Sequence, residues 1–349
     1  MNIHRARELV EGRKDFIIVE KDGYTVADYV FMSNDTFDEL ERHELRGLKF
    51  DNKTGEILAR PFHKFFNIGE KEEHANIDWS RPHVVMPKLD GSMIHAALVN
   101  NEVRLMTRMG ITEHSIRAER HLTDVLKKEL LIELLCGQTP IFEWTAPDNQ
   151  IVLPYDESKL TLLANRNNET GKYDHPELLK DLSILMEVDC IDFDEPFDLE
   201  TSKNNLGIEG YVIWFYETGE FYKVKTDEYV MMHRAVSFFD REDKVLACVL
   251  EGKCDDLYPA LDKERADKLK SYENDVNSEL INLAATIEVI AVAAKSYEMD
   301  RKTFALKIVN QARKSLRSAY FRILDGDDAL DAVKKCVYKD PMILNRRWV

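Results

Sequence analysis

Short apolar-rich segments separated by turn formers run through the first 240 residues. Their β-branched and aromatic content predicts strands, and the turns Lys-Asp-Gly, Lys-Thr-Gly, Val-Asn-Asn and Glu-Thr-Gly predict hairpins between them. The predicted strand segments are FIIVEKDGYTVADYVF, GLKFDNKTGEIL, HVVMPK, MIHAALVNNEVRLMTR, IFEWTA, KLTLLANRNNETGKY and GYVIWFYETGEFYKVK. The stretch SIRAERHLTDVLKKELLIELL has apolar residues at helical spacing and interrupts the strands. This half of the chain is therefore predicted to be α+β and mainly antiparallel.

The pattern changes after residue 250. The segments RADKLKSYENDVNSELINLAATIEVIAVAA and RKTFALKIVNQARKSLRSAYFRIL show helical periodicity, almost no glycine and no convincing strand. We therefore predict a first domain over 1–245 and a separate helical domain over 246–349. The run INLAATIEVIAVAA is interpreted as core packing, because it is too short to span a membrane.

The composition is that of an ordinary globular protein, with 349 residues of which 44% are hydrophobic and 32% charged. This length allows one large core and a second domain. The formal charge of -16 argues against a protein that coats nucleic acid indiscriminately, because that mode depends on net positive charge. A nucleic-acid enzyme with local basic patches is still compatible with this charge.

The cysteines and the N-terminus indicate the compartment. The five cysteines form no C-x-x-C pair, which favours free thiols in a reducing compartment over a structural zinc site. The N-terminal stretch MNIHRARELVEGRKDF lacks the apolar core of a signal peptide. We therefore expect a soluble intracellular protein.

The stretch PKLDGSMI places Lys88 two positions before Asp-Gly-Ser and a strand-like segment. Asp90, Gly91 and Ser92 are turn formers, and a lysine beside such a turn is commonly a solvated edge residue. The alternative is that the turn holds Lys88 at the floor of a cleft, where its amine attacks a phosphorus atom as a nucleophile. The pattern K-x-D-G-S alone does not decide between the two.

Further charged residues stand next to apolar strand residues. They are Arg46 in LRGLKF, Lys64 beside Phe65 and Phe66 in HKFFN, Glu143 in FEWTAP, Glu209 in GIEGYVIW, and Lys223 and Lys225 in FYKVKTDEY. Each has an ordinary alternative, such as a surface ion pair, a core aromatic residue or the solvated face of an edge strand. These alternatives explain Glu143 and Glu209 less well, because burying a carboxylate among apolar residues is costly without a cation, metal or hydrogen-bond donor. Together the acids and cations predict a pocket for a polyanionic ligand with a metal, and a nucleoside triphosphate fits it.

The order of these motifs resembles that of the covalent nucleotidyltransferases, the superfamily of polynucleotide ligases and capping enzymes. K-x-D-G-S is followed by the acid in FEWTAP, by IEGYV and by K-V-K. More narrowly, ELRGLKF, RPFHKFFN, APDNQIVLPY, NETGKY and IEGYV resemble the phage ATP-dependent RNA ligases of the RNA ligase 1 type, which repair cleaved tRNA. The similarity spans about residues 24 to 232, with a weaker match at DRKTFAL. It implies an α+β fold, with a mainly antiparallel nucleotidyltransferase (ATP-grasp-like ligase) domain followed by an all-helical C-terminal domain.

The resemblance also implies a chemical role for the matching residues. Lys88 would attack the α-phosphate of ATP, expel pyrophosphate and form a lysyl-AMP phosphoramidate. Neighbouring cations would lower the pKa of the lysine and stabilise charge on the phosphoryl oxygens. The residues implied at the nucleotide are Tyr29, Arg46, Lys64, Phe66, Asp90, Gly91, Arg108, Glu143, Glu209, Lys223 and Lys225.

Three acidic residues receive distinct roles from the resemblance. Glu143 matches an acid expected at the ribose hydroxyl, and Glu209 matches an acid near the catalytic metal, Mg²⁺ or Mn²⁺. Asp255 in EGKCDDL aligns with a second metal-site aspartate, although a solvated acidic loop explains it equally well. The sequence departs from the family in LMTRMG, where Arg108 stands in place of the usual lysine. The positive charge is kept, but a compact ammonium group is replaced by a planar guanidinium.

The segment 301–322 carries basic residues and no acid in an otherwise acidic protein. Phe304, Ile308, Ala312 and Leu316 would form the buried face of one helix and leave the cations outward. A solvated face is the alternative to a surface that tracks the phosphates of RNA. The RNA-binding candidates are Arg301, Lys302, Lys307, Arg313, Lys314 and Arg317.

We therefore predict an ATP-dependent RNA ligase that joins RNA 3′-hydroxyl and 5′-phosphate ends through lysyl-AMP and RNA-adenylate intermediates. ATP is the expected co-substrate, and cleaved tRNA in the cytoplasm of a phage-infected host is the expected substrate. No membrane and no obligate protein partner is implied. The alternatives are a DNA ligase or capping-type enzyme, which would continue into a β-barrel, and a non-catalytic RNA-binding protein that kept the fold.

Overall fold

The strands form three sheets in the first part of the chain. The computed structural model describes residues 1–33, 35–239, 241–258, 261–345 and 347–348, and the chain divides into two units, Met1–Val230 and Met231–Val349. The strands of the first unit are β1 (Phe16–Glu20), β2 (Tyr24–Tyr29), β3 (Leu48–Asp51), β4 (Ile57–Ala59), β5 (Phe66–Asn67), β6 (Val84–Lys88), β7 (Ser92–Val99), β8 (Glu102–Met106), β9 (Gln138–Thr145), β10 (Lys159–Asn167), β11 (Asp189–Cys190), β12 (Gly210–Phe215) and β13 (Glu220–Lys225).

The sheets are mainly antiparallel, as predicted. The first has the order β1-β2-β3-β4, the second β11-β10-β9-β7-β8, and the third β5-β13-β12-β6. The pairs β10–β11 and β13–β5 are parallel, and the other paired neighbours are antiparallel. Two short parallel pairs at sheet edges leave the α+β class unchanged.

Each predicted hairpin turn joins an antiparallel pair. The turns connect β1 with β2, β3 with β4, β7 with β8 and β12 with β13. At the third turn, Asn100 and Asn101 have φ values of 51° and 66°. Asparagine tolerates this left-handed backbone, which a two-residue hairpin turn requires.

The second and third sheets share the main apolar core. That core includes Trp144 on β9 and Trp214 on β12, both of which are fully buried. Side chains alternate between the two faces of each strand, so residues next to the core positions project from the opposite face. Side chains on those opposite faces are therefore held in fixed positions by the two sheets.

The helices of the chain lie mainly in its second half. They are α1 (Ile3–Leu9), α2 (Glu113–Glu119), α3 (Asp124–Leu135), α4 (Pro176–Met186), α5 (Leu199–Ser202), α6 (Asp227–Phe239), α7 (Glu242–Glu251), α8 (Lys263–Ser296), α9 (Arg301–Lys307), α10 (Arg317–Asp325) and α11 (Ala329–Lys339). The helical stretch predicted within residues 115–135 is two helices, α2 and α3. It breaks because Thr123 caps a new helix, its side chain accepting a hydrogen bond from the Leu126 N–H.

Helix α8 packs against α10 and α11 in the second unit. Its buried residues recur every three or four positions, which is the pattern of a core helix. By length and composition the whole of α8 is also long and apolar enough to cross a membrane. The prediction that this region is too short to span a membrane considered only the apolar run INLAATIEVIAVAA, which is a part of the helix. Ile281, Val289 and Val292 on the other face are exposed.

The segment 301–322 is not one helix, so that part of the prediction is wrong. After α9 the chain forms two short 3₁₀ turns, Val309–Gln311 and Lys314–Leu316, before α10 begins. Val309 is buried, whereas Ala312 is only partly buried. The Arg317 guanidinium donates to the Asn310 and Ala312 carbonyls at 2.8 and 3.2 Å, which satisfies backbone groups that a broken helix leaves free.

Candidate active site

A cavity of about 330 Å³ lies between β6, β12 and β13 on one side and β7, β9 and β10 on the other. We name it the nucleotide cavity. Predicted site residues on its wall are Tyr29, Arg46, Lys64, Lys88, Gly91, Glu143, Lys223 and Lys225. Residues from distant stretches of the sequence thus converge on one site, as the motif order predicts.

Strand register brings Lys88 and Lys225 to Glu209. Gly210 on β12 lies opposite both Lys88 of β6 and Lys225 of β13. Glu209 is 3% exposed, and its two carboxylate oxygens lie 2.7 Å from Lys88 Nζ and 3.0 Å from Lys225 Nζ. A Cβ on residue 210 would lie 1.9 Å from the Val224 carbonyl oxygen, so this close strand approach requires glycine. Two ammonium groups therefore offset the burial of one carboxylate.

Asp90 anchors the turn that follows Lys88. Its Oδ2 accepts hydrogen bonds from the Val152 and Leu153 N–H groups at 2.8 and 2.7 Å. The Tyr229 hydroxyl donates to Oδ1 at 2.6 Å. Asp90 is 1% exposed, so it supports the turn from behind and fixes the end of β6.

Gly91 brings the same turn against Glu143. The Gly91 N–H donates to Glu143 Oε1 at 3.1 Å, and a Cβ at position 91 would lie 2.5 Å from the Trp144 carbonyl oxygen. Burial raises the pKa of Glu143 to about 7, with Lys88 lowering it and Glu209 raising it by smaller amounts. Near neutral pH this carboxyl group is available in both its acid and its ionised form, and either form can hydrogen-bond a ligand hydroxyl.

Arg46, Lys64 and Lys223 form a group of like charges. Burial, together with the smaller effects of the charges of Lys64, Lys88 and Arg46, lowers the pKa of Lys223 to about 8. Burial also lowers the pKa of Lys64, and Arg46 adds to that effect. Like charges held close together favour an anionic ligand, so these three side chains are suited to binding phosphates.

Phe65, and not the predicted Phe66, lies on the wall of the nucleotide cavity. Phe66 is buried, and its ring centroid lies 4.7 Å from the Lys64 ammonium. The Lys223 ammonium lies 5.7 Å from the Phe65 ring centroid. Cations near aromatic faces are stabilised by the ring quadrupole. In the structure Phe66 supports Lys64 from beneath, and Phe65 takes the place on the wall.

Arg108 contacts the cavity through Tyr29. Its guanidinium lies 4.5 Å from the Tyr29 ring centroid, and its Nε lies 2.9 Å from Asp28 Oδ2. Asp28 is fully buried, and burial raises the pKa of its carboxyl group while Arg108 opposes the rise. The planar guanidinium covers a ring and meets a carboxylate at once, which a lysine ammonium would do less well.

Lys49 is a residue of the site that the sequence analysis missed. It is fully buried, and its ammonium donates to the carbonyls of Gly47 at 2.6 Å and of Thr107 and Arg108 at 2.9 Å. One side chain therefore ties the segment that carries Arg46 to the turn that carries Arg108. The available signal was a lysine between two apolar residues of a strand.

The apolar residues of the nucleotide cavity could not be recognised from the sequence. Met86, Leu163, Ile191 and Val212 line it, and such residues occur in any core. An apolar slot beside a few convergent polar groups is typical of a small-molecule site, and a flat heterocyclic base fits it.

Glu143 and Glu209 could supply the protein ligands of a divalent cation whose remaining ligands come from the substrate phosphates. Mg²⁺ commonly takes one or two protein carboxylates and completes its shell with phosphates and water. Among the residues that the structure describes, no group of three or more His, Cys, Asp or Glu side chains could hold a metal alone. Asp255 is exposed in the short 3₁₀ turn Cys254–Asp256 of the second unit, so its metal role stays a prediction.

The basic segment of the second unit is partly neutralised by acids from outside the segment. Its ion pairs are Arg301–Asp325, Arg313–Asp340 and Arg322–Asp327. Lys302, Lys307 and Lys314 are exposed. Whether any of these residues contacts RNA stays a prediction.

Known proteins similar to this chain give the family. The family model described as RNA ligase, of the T4 RNA ligase 1 type, matches residues 44–231. A protein of Thermovibrio ammonificans named as an RNA ligase is 31% identical over 291 residues, which is 77% of this chain and 76% of that protein. RNA ligase 1 of bacteriophage TS2126 is 30% identical over 255 residues, which is 69% of this chain and 64% of that protein. The chain belongs to the RNA ligase family and is a ligase.

A solved structure shares the fold at low sequence identity. An archaeal ATP-dependent RNA ligase (form 1) superposes with a TM-score of 0.50 at 14% identity, over 70% of this chain and 69% of that one. The predicted nucleotidyltransferase fold is therefore confirmed. The matched residues 44–231 also include Lys88, Glu209 and Lys225.

Proposed function

We propose that this RNA ligase uses ATP and forms a covalent lysyl-AMP on Lys88 before it joins RNA ends. The observation that carries the proposal is the place of Lys88 on the wall of a cavity lined by both cationic and apolar side chains. The apolar side chains suit the adenine base, and the cations suit the phosphates. Lys88 is the lysine of this wall that would attack the α-phosphate.

In the first step, Lys88 Nζ forms a bond to the α-phosphorus while the bond to the β-phosphate oxygen breaks. Pyrophosphate leaves with the electron pair, and a phosphoramidate remains on the enzyme. Lys88 must lose a proton to react, and Glu209 Oε2 at 2.7 Å is placed to accept it. Lys225 shares the same carboxylate at 3.0 Å, which keeps both ammonium groups beside the reacting phosphate.

Arg46, Lys64 and Lys223 stabilise the charge that develops on the phosphoryl oxygens. Glu143 accepts a hydrogen bond from a ribose hydroxyl, because the Gly91 N–H already fixes its other oxygen. Glu209, with Glu143 beside it, would hold Mg²⁺ or Mn²⁺, and the metal would neutralise phosphate charge as the anions approach. The metal role that the resemblance implies for Asp255 stays a prediction.

In the second step the RNA 5′-phosphate takes the AMP from Lys88, and in the third an RNA 3′-hydroxyl displaces AMP and joins the ends. The proposed substrate is a cleaved tRNA anticodon loop in the cytoplasm of a phage-infected cell. The resemblance to tRNA-repair ligases supports this substrate. The exposed lysines of the second unit, with the neighbouring arginines, are the proposed contacts with the RNA.

The joining reaction tests the proposal. Wild-type protein and Lys88→Arg, which keeps the charge, are incubated with ATP, Mg²⁺ and RNA that carries 5′-phosphate and 3′-hydroxyl ends. We expect wild type to become adenylylated and to join the RNA ends, and we expect the variant to do neither. The variant should still join RNA that is supplied already adenylylated, because the third step does not use Lys88 as a nucleophile. Joining by the variant at the wild-type rate from unmodified RNA would overturn the proposal.

A further inference from the structure

A second and larger cavity, of about 850 Å³, adjoins the nucleotide cavity within the first unit. We name it the rim cavity. It lies along β5 and β13, the turn between β12 and β13, and the turn that follows β10. Lys64 and Phe65 line both cavities. The two spaces therefore adjoin at this pair of residues, one of which is a cation of the nucleotide cavity.

The rim cavity is rich in aromatic rings. Phe65 and Phe221 are stacked with centroids 5.4 Å apart, and the Tyr173 ring lies 5.0 Å from Phe221. Tyr216 and Tyr222 are half-buried on the same wall. Aromatic side chains that retain some exposure bind nucleobases by stacking, with little dependence on base identity.

The charges of the rim cavity are balanced, in contrast to those of the nucleotide cavity. Its basic side chains are Lys64, Arg81, Arg166 and Lys172, and its acidic ones are Glu44, Asp78, Glu217 and Glu220. Two of the cations are already ion-paired within the wall, Arg166 with Glu44 at 2.7 Å and Arg81 with Glu220. Such a wall suits an uncharged ligand with an aromatic ring and polar edges more than it suits a polyphosphate.

The chemistry of phosphoryl transfer places a nucleoside there. In the first step Lys88 attacks the α-phosphorus opposite the pyrophosphate that leaves, because attacking and leaving groups lie roughly in line. In the second step a 5′-phosphate oxygen bonds to the same phosphorus, the phosphorus–nitrogen bond breaks, and its electron pair returns to Lys88. The RNA phosphate must therefore occupy the place that pyrophosphate vacated.

In-line displacement places that phosphate on the side of the α-phosphorus opposite Lys88. Lys64 is a cation of the nucleotide cavity that would hold a phosphate there, and Lys64 and Phe65 also line the rim cavity. A nucleoside attached to a phosphate at Lys64 would therefore have the rim cavity next to it.

We propose that the rim cavity binds the 5′-terminal nucleoside of the RNA strand whose 5′-phosphate receives AMP. The inference rests on the proposed lysyl-AMP function, since it uses the in-line geometry of that mechanism. It assigns the larger cavity to the second step and leaves the first step to the nucleotide cavity alone.

The test fills the rim cavity without removing any packed side chain. Glu217 is an exposed residue on its wall, so Glu217→Trp places an indole in the space, and Glu217→Gln removes the charge but leaves the space open. Two donor RNAs are compared, one intact and one that lacks the base of its 5′-terminal nucleotide. Label from α-labelled ATP on the protein reports the first step, and label transferred to RNA reports the second.

With wild type and Glu217→Gln we expect the abasic donor to accept AMP about 10-fold less efficiently than the intact donor. With Glu217→Trp we expect label on the protein within about 2-fold of wild type, and equally poor transfer to both donors. Equal transfer to both donors by wild type would overturn this inference alone, as would a Glu217→Trp variant that transfers normally. A Glu217→Trp variant slowed only in the first step would assign the cavity to pyrophosphate and contradict the inference. Wild type that takes no label from ATP, and whose mass shows that it was not already adenylylated, would instead overturn the proposed function.

Discussion

Two sets of basic side chains look alike in the sequence and behave differently in the structure. Those of the nucleotide cavity come from segments far apart in the chain, yet they converge on one space of about 330 Å³. Those of the segment 301–322 are neighbours in sequence, yet three of them form ion pairs with acids that lie beyond the segment. A run of cations in a sequence therefore does not by itself define a cationic surface.

The difference follows from how each set is held. Sheet register fixes the nucleotide-cavity lysines, since Gly210 lies opposite both Lys88 and Lys225. The C-terminal cations lie on short helices and turns, where long side chains reach whichever acid or carbonyl is nearest. Charges of one sign persist at close range only where a rigid frame or a ligand holds them together. The predictions that follow test this contrast, beginning with the largest expected effect.

Glu209→Gln should reduce the rate of protein adenylylation by about 100-fold or more, because the variant removes the carboxylate that pairs both lysines and is proposed to hold the metal. The measurement is the initial rate of label uptake at saturating ATP and Mg²⁺. Glu220→Gln, which changes an acid of the third sheet outside the nucleotide cavity, serves as the control and should retain the wild-type rate. An unchanged rate in Glu209→Gln would remove this residue from the mechanism.

Lys49→Met should lower the kcat/KM for ATP in adenylylation by about 10-fold, because a buried ammonium no longer aligns Arg46 and Arg108. Lys21→Met is a matched control. The Lys21 ammonium donates to the next carbonyl of the same turn, that of Met109, at 2.7 Å. The control should stay within about 2-fold of wild type.

A double variant separates positioning by Lys49 from general loss of structure. If Lys49 acts through Arg108, then Lys49→Met should add little to the effect of Arg108→Ala on kcat/KM. Fully additive losses in the double variant would contradict a positioning role.

Replacement of Lys302, Lys307 and Lys314 by alanine should weaken RNA binding by about 3-fold to 10-fold and reduce its salt dependence, if these exposed lysines contact phosphates. Adenylylation by ATP should not change. The matched set replaces Arg301, Arg313 and Arg322, which are ion-paired within the protein, and should affect RNA binding less. If the arginine set weakens binding more, the contrast between paired and exposed cations is wrong.

The smallest expected effect concerns Glu143 and pH. Its native pKa is raised to about 7 from an ordinary 4.5, so its contribution to stability is present below pH 4.5 and is lost as the pH rises through about 7. The melting temperature of wild type relative to Glu143→Gln should therefore fall between pH 5 and pH 8. Glu102→Gln, an exposed position on β8, should show no such trend, and a flat difference for Glu143→Gln would contradict the buried acid.

Much of the fold could be predicted because its signals are local. The hairpins depend on turns of two to five residues, such as Asn100–Asn101, whose backbone requirement is visible in the sequence. The motif order also predicted which charged residues meet in the nucleotide cavity. By contrast, the helix predicted over 301–322 ends near Ile308 because Val309, and not Ala312, is buried. Tertiary packing decides which of these two residues is buried, and the local sequence does not show it.

The rest of the site could not be predicted, because the local sequence does not show which side chains are buried or which way they point. Phe65 and Phe66 are adjacent and chemically identical, so only the strand direction decides which one faces the cavity. Lys49 reads as an ordinary strand lysine until three carbonyls are found around its ammonium. The apolar residues of the base slot, such as Leu163, are indistinguishable from core residues in the sequence.

The most direct test of the account is the covalent enzyme itself. Wild-type protein and Lys88→Ala are incubated with ATP labelled on the α-phosphate and Mg²⁺, then denatured, and the acid-sensitive label retained on protein is measured and located by peptide mapping. The account predicts label on the wild-type peptide that contains Lys88 and none on the variant. Label on both proteins, or on a wild-type peptide without Lys88, would contradict it. So would absence of label on wild type, once mass measurement has shown that the protein was not already adenylylated.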